Sequence, residues 1–247
     1  MNEFTAIILA AGKGTRFKSE LPKVLHKLHN KPMIHYVIES VHRAYINSVC
    51  VVVGHKKELV EEACDSFNTQ YAIQDQQLGT GHAVVCALNT IKQNTTSHCI
   101  VLAGDCPLIQ PKTIKQLLDT HLSSEASATV LSAKIPDAGQ YGRIIRDNKT
   151  NNILAIREAK DCSPDELKIQ EFNSGIYCFN TSDLQETIQK LSTNNSQGEY
   201  YLTDVIEFYS KNNQTVSGLC IDNEWEVSGA NTQEELNEMA QFVPQNH

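Results

Sequence analysis

The sequence predicts an α/β fold, a doubly wound mixed sheet flanked by helices, and three observations carry that prediction. Short, near-continuous apolar runs recur through the first half of the chain, as strands buried on both faces require. Between them lie stretches whose apolar residues repeat at three and four positions, the spacing of amphipathic helices, so strand and helix alternate as in a largely parallel sheet. After residue 139 the runs shorten and turn-forming residues multiply, which adds a small antiparallel unit.

Taken in order, the strands are TAIILA (5–10), SVCVVV (48–53), QYAI (70–73), HCIVLA (98–103) and SATVLSAKI (127–135), and the helices between them span 33–44, 57–66, 81–91 and 111–121. YGRIIRD (141–147), ILAIRE (153–158) and FNSGIYCF (172–179), joined by the turn DNKTNN and a polar loop over 160–170, form the antiparallel addition, placed to fold over a pocket. A helix (203–210), a strand (215–221) and a last helix from about residue 232 complete the chain. No internal repeat or low-complexity linker divides the 247 residues, which predicts one domain over 1–247.

Composition excludes several functions. A net charge of −8 with no basic run leaves no footprint for nucleic acid. The N-terminus has neither the positive start nor the cleavage site of a secretory signal, and no run of about 18 apolar residues occurs, so a cytoplasmic protein without membrane contact is expected. The eight cysteines are scattered, form no CxxC pair and fall mostly inside apolar patterns, which predicts reduced, core-filling side chains.

The densest chemistry lies in LAAGKGTRFKSELPKVL (9–25). It follows the first buried strand and so sits at a strand's carboxyl end, where open α/β sheets place ligands. Gly12 and Gly14 let backbone amides approach an anion, while Arg16 and Lys23, with Lys13 beside them, can neutralise several phosphate oxygens, which points to a polyphosphate. The stretch is neither a Walker A loop nor GxGxxG, since Phe17 stands at the third glycine's place. GDCPL likewise puts Asp105 at the end of the strand HCIVLA, where a carboxylate is either a hard-cation ligand or a helix cap.

The loop GxGTR followed by Pro22-Lys23, with QLGTGHA, GDCPL, YGRI, EFNSGI and NNSQGEYYLTD in that order, resembles the sugar-nucleotide pyrophosphorylases, and most closely the N-terminal domains of bifunctional N-acetylglucosamine-1-phosphate uridylyltransferases. The resemblance runs from about residue 4 to 236 and implies a Rossmann-like sheet of the nucleotide-diphospho-sugar transferase type. It implies a reaction of UTP with N-acetyl-α-D-glucosamine 1-phosphate, assisted by Mg²⁺, that yields UDP-N-acetylglucosamine and pyrophosphate. Residues 1–138 would mainly hold UTP and 139–247 mainly the sugar.

Carried over position by position, the resemblance makes Arg16 and Lys23 catalytic and assigns Ala11, Gly12, Gly14, Gln74, Gly79 and Thr80 to the nucleotide, with Gln74 reading the uracil edge. Gly142, Glu158, Asn173, Tyr200 and Thr203 would line the sugar site, with Asp105 and Asn231 holding the metal; Asn231 equally suits a cap of the last helix. His82 receives no catalytic role. Two departures stand out. No hexapeptide repeat of a left-handed β-helix follows, so no acetyl-CoA site is expected, and Ser228 stands where the family commonly has a glutamate that contacts the sugar. Ser228 keeps open a pyrophosphorylase for another amino-sugar 1-phosphate, and a non-catalytic nucleotide-sugar sensor is the remote alternative. The oligomeric state is not fixed by these motifs.

Overall fold

The computed structural model describes residues 4–91 and 96–243. The chain runs β1 (Phe4–Leu9), β2 (Lys27–Leu28), β3 (Lys31–Pro32), α1 (Met33–Arg43), β4 (Ser48–Val53), α2 (Lys57–Cys64), β5 (Gln70–Ile73), α3 (Thr80–Thr90), β6 (His98–Ala103), α4 (Pro111–Ser123) and β7 (Ala128–Lys134). It continues through β8 (Arg143–Arg146), β9 (Ile153–Arg157), β10 (Glu171–Asn180), α5 (Thr181–Ile188), α6 (Asp204–Lys211), β11 (Val216–Ile221) and α7 (Gln233–Met239).

The main sheet has the order β11-β7-β10-β6-β1-β4-β5. Strands β1, β4, β5 and β6 are mutually parallel, while β10 runs antiparallel between β6 and β7. Alternate residues of each strand enter two cores, one on each face. Ala6, Ile8, Val49, Val51, Ile100 and Leu102 pack with α1, α2 and α4, whereas Ile7, Cys50, Val52, Cys99 and Val101 pack with α3, α5 and α6. The period-2 alternation explains why these strands are apolar throughout: both faces are covered. Burial pushes the Cys50 thiol up to about 12 and Cys64 up to about 11, as suits cysteines acting as apolar filler. All eight cysteines are free, and Cys220 is the exposed one.

The antiparallel addition is the hairpin β8–β9, whose edge meets β10 at Phe172 and Arg143. The segment FNSGIYCF, expected within that addition, instead runs through the middle of the main sheet and only its start touches β8. Two further elements escaped the sequence pattern, α5 and the ribbon β2–β3. Among the described residues no helix is long and apolar enough to cross a membrane.

One buried polar cluster has a measurable consequence for stability. His121 of α4 is 1% exposed, lies 3.1 Å from His98 at the start of β6 and 2.9 Å from the Thr129 hydroxyl on β7. Burial, then the neighbouring His98, pulls its pKa down to about 4. A folded-state pKa below the ordinary 6.5 means that the unfolded chain binds the extra proton. The stability His121 contributes is therefore present above pH 6.5 and is lost as the pH falls toward 4, by about 3 kcal/mol in all. Urea titrations over that range should show a flatter pH dependence for His121→Gln than for the wild type; parallel curves would refute the assignment.

Candidate active site

The site forms at the carboxyl ends of the parallel strands, and each part follows from how the chain leaves the sheet. Ala10 still donates to the Val52 carbonyl at 2.9 Å, after which residues 11–14 turn away. Gly14 makes the turn possible: its φ is 60°, and a Cβ there would stand 2.6 Å from the Lys23 Cβ. The loop can thus lie against the turn Lys23–Leu25 and carry Lys23 inward. Gly12 needs no positive φ, and a Cβ there would meet nothing within 4 Å, so the fold does not demand a glycine at this position; its bare backbone leaves the cavity wall open. Among the described residues the N–H groups of Ala11, Gly12, Lys13 and Gly14 reach no protein acceptor, a run of free donors suited to an anion.

Four predicted residues meet at one point. Lys23 Nζ forms an ion pair with Asp105 Oδ2 and donates to Asn231 Oδ1 at 2.7 Å, and Arg16 Nη2 donates to the same Asn231 oxygen at 2.7 Å. Asp105 is fixed by its backbone: Gly104 N–H donates to the Leu9 carbonyl at 3.0 Å, and Ala230 N–H donates to the Asp105 carbonyl at 3.1 Å. Asn231 Nδ2 donates to the Gly229 carbonyl at 3.1 Å, which turns Oδ1 toward the two cations. Neither residue caps a helix. Thr232 caps α7, its hydroxyl accepting from Glu235 N–H at 3.1 Å, and α4 has Gln110 at its cap position. The capping alternative for Asn231 is thereby removed.

Two hard oxygens, from Asp105 and Asn231, converge on one ammonium, so a single small cation is within their joint reach. Among the described residues no group of three or more His, Cys, Asp or Glu is arranged to hold a metal. A two-oxygen set fits Mg²⁺, which ordinarily keeps waters and substrate phosphates as its remaining ligands.

A cavity of about 360 Å³ adjoins this cluster, lined by Ala11, Gly12, Lys23, Gln74, Gly79, Thr80 and Asp105 together with Gln77 and Glu199. The last two were not singled out in the sequence. Gln77 donates to the Ala11 carbonyl and so ties the first loop to the segment 74–80. The Thr80 hydroxyl accepts from Leu202 N–H at 3.1 Å. Gly79 has a φ of 107°, and a Cβ there would come within 2.6 Å of the Tyr200 carbonyl oxygen. Gly79→Ala should therefore cost about 1–3 kcal/mol of stability through backbone strain and the clash, and an unchanged melting temperature would contradict this packing.

The residues expected at the sugar form two pairs. The Thr203 hydroxyl donates to Glu158 Oε1 at 3.1 Å, and burial raises the Glu158 carboxyl above its ordinary range. The Asn173 amide exchanges hydrogen bonds of 2.7 and 2.9 Å with the Tyr177 hydroxyl, and Asn173 N–H donates to the Gly142 carbonyl at 2.8 Å. Tyr200 is tied through its backbone: its carbonyl accepts from Gly81 N–H and its N–H donates to the Leu78 carbonyl, both at 2.8 Å, so it braces the 78–81 segment. Ser228 turns its hydroxyl back to the Glu224 carbonyl at 2.8 Å.

Residues 5–242 match the family model described as nucleotidyl transferase. Among curated relatives, the bifunctional protein GlmU of Clostridium perfringens is 47% identical over 94% of this chain and 50% of its own length. That of Clostridium kluyveri is 46% identical over 96% of this chain and 52% of its own. The chain spans about half the length of the curated relatives it matches. Among solved structures, a UDP-glucose pyrophosphorylase complexed with UDP-glucose superposes with a TM-score of 0.77 at 19% identity, covering 98% of both chains. That likeness concerns the fold.

Proposed function

The chain belongs to the nucleotidyl transferase family, and from that premise we propose that it is a uridylyltransferase, forming UDP-N-acetylglucosamine and pyrophosphate from UTP and N-acetyl-α-D-glucosamine 1-phosphate. The observation that carries the proposal is the convergence of Arg16, Lys23, Asp105 and Asn231 beside the cavity that holds Gln74. Similarity to GlmU over nearly the whole chain supports this choice of substrates.

The reaction is an in-line displacement at the α-phosphorus of UTP. The attacking phosphate oxygen of the sugar, with a second pKa of about 6, is already ionised at neutral pH, so the protein need not supply a base. Its work is positioning and charge neutralisation. The free amides of residues 11–14 would hold the triphosphate, and Arg16 and Lys23 would take up charge on the departing pyrophosphate. Asp105 and Asn231 would hold Mg²⁺, which when bound neutralises phosphate charge. Gln74, Gly79 and Thr80 would frame the base, and Gly142, Glu158, Asn173 and Thr203 the sugar, with Tyr200 acting through the loop it braces. In this reading the whole of 1–247 is one catalytic unit, with the nucleotide mainly on 1–138 and the sugar mainly on 139–247.

The geometry of Ser228 favours one second reading, a different amino-sugar 1-phosphate as acceptor. Its hydroxyl is engaged with the Glu224 carbonyl and presents no carboxylate to a sugar. Pyrophosphate release with UTP and Mg²⁺ tests both, using N-acetylglucosamine 1-phosphate, glucosamine 1-phosphate and glucose 1-phosphate in parallel. Release specific to the acetylated sugar supports the first reading. A clear preference for another sugar supports the second, and no release with any of them overturns both.

A further inference from the structure

The strongest unassigned feature of the molecule is the side chain of His82, which lies on α3 behind Gln74 and does not line the nucleotide cavity. Gln74 is 4% exposed, and its amide nitrogen lies 3.0 Å from the Gly79 carbonyl oxygen and 3.2 Å from His82 Nδ1. A carbonyl oxygen only accepts, so the amide nitrogen, not the amide oxygen, must face Gly79; the flipped amide would set an oxygen against the Gly79 carbonyl oxygen. One amide hydrogen is thereby committed. The second points at His82 Nδ1, which must then be the bare, accepting nitrogen of a neutral ring with its proton on Nε2. Nε2 is 3.9 Å from Cys86 Sγ, one helical turn on, a weak acceptor for that proton.

The amide donors of Gln74 are now both used within the protein. Its Oε1 has no protein donor among the described residues and is not one of the sealed, unpartnered buried atoms, so it is the polar atom this side chain leaves for the cavity. We propose that His82 is a positioning residue for base selection: by accepting the second amide hydrogen of Gln74 it completes, with the Gly79 carbonyl, a two-point lock that leaves an acceptor alone facing the base. A uracil ring offers an N–H at N3 to that oxygen, whereas cytosine offers a lone pair at the same place. Held by the Gly79 carbonyl alone, the amide turns over at the cost of one hydrogen bond rather than two and can then serve either base, since it carries a donor and an acceptor at equal reach. A site built around one hydrogen-bond polarity rejects the opposite one because the mismatched groups stay buried and unpaired.

This role for His82 rests on the uridylyltransferase reading, and the test separates the two. Initial rates are measured with UTP and with CTP for the wild type, His82→Leu and His82→Asn. Asn keeps an acceptor near the position of Nδ1, while Leu has none. The ratio of kcat/KM for UTP over CTP should fall about tenfold in His82→Leu, the loss of roughly one orienting hydrogen bond, and should stay within about threefold of the wild type in His82→Asn. Equal losses on both nucleotides in His82→Leu would describe a residue that only packs, and would overturn the proposal while leaving the uridylyltransferase reading intact. A wild type without preference for UTP over CTP would overturn both. Nitrogen-15 NMR of the unsubstituted protein checks the ring directly and does not depend on the variants folding. It should show neutral His82 protonated on Nε2, and a proton on Nδ1 at neutral pH would overturn the proposal.

Discussion

Asp105→Ala should lose turnover by at least about 10³-fold, the scale of a missing charge-stabilising group at a phosphoryl centre, while the protein stays folded. The side chain stands at the end of β6 in contact with Lys23, and it caps no helix. Its backbone anchors, to Leu9 through Gly104 and to Ala230, do not depend on the carboxylate. Removing it frees Lys23 from its counter-ion, so UTP binding measured without Mg²⁺ should be retained or strengthened even as turnover vanishes. That opposite movement of binding and rate distinguishes a lost metal ligand from general damage. Undiminished turnover in the variant would take Asp105 out of the site.

On the proposed reaction, Lys23→Ala should lower kcat by about 10²–10³-fold with a smaller effect on KM, because its charge would count most as pyrophosphate departs. Its ammonium already sits between Asp105 and Asn231, where it can move onto phosphate oxygens when a cation takes its place between those two ligands. Lys23→Arg should rescue only part of the loss. The larger, planar guanidinium must fit between Asp105 Oδ2 and Asn231 Oδ1, where a compact ammonium now sits. An effect confined to KM would contradict a role in the chemical step.

The parallel core was legible in the sequence because β1, β4 and β6 bury both faces, and a strand covered on both sides must be apolar at nearly every position. β10 was harder to place. Its polar stretch Asn173-Ser174-Gly175 looks like a sheet edge, yet Asn173 is 8% and Ser174 6% exposed in the centre of the sheet. Their partners, Tyr177 for Asn173 and the Leu131 carbonyl for the Ser174 hydroxyl, supply what solvent would, at a shift in register between β10 and β7. α5 was missed because eight residues with only Leu184 and Ile188 buried among its apolar positions give a faint period, although Asn180 before it is a ready cap. For the site, local pattern showed the anion loop and the strand-end carboxylate. That they meet Asn231 came only through family resemblance, since no sequence period links them. His82 was illegible for a plainer reason: a histidine near a helix start looks the same whether it faces water or an amide.

Asn231 Oδ1 joins Arg16 across 215 positions of chain and Lys23 across 208. During synthesis the anion loop leaves the ribosome early, and the side chain that orders its two cations follows long after it. A nascent chain halted before residue 231 would carry most of the nucleotide cavity but only a half-assembled charge cluster. On the proposed reaction, ribosome-bound intermediates should therefore be silent in turnover until Asn231 has emerged.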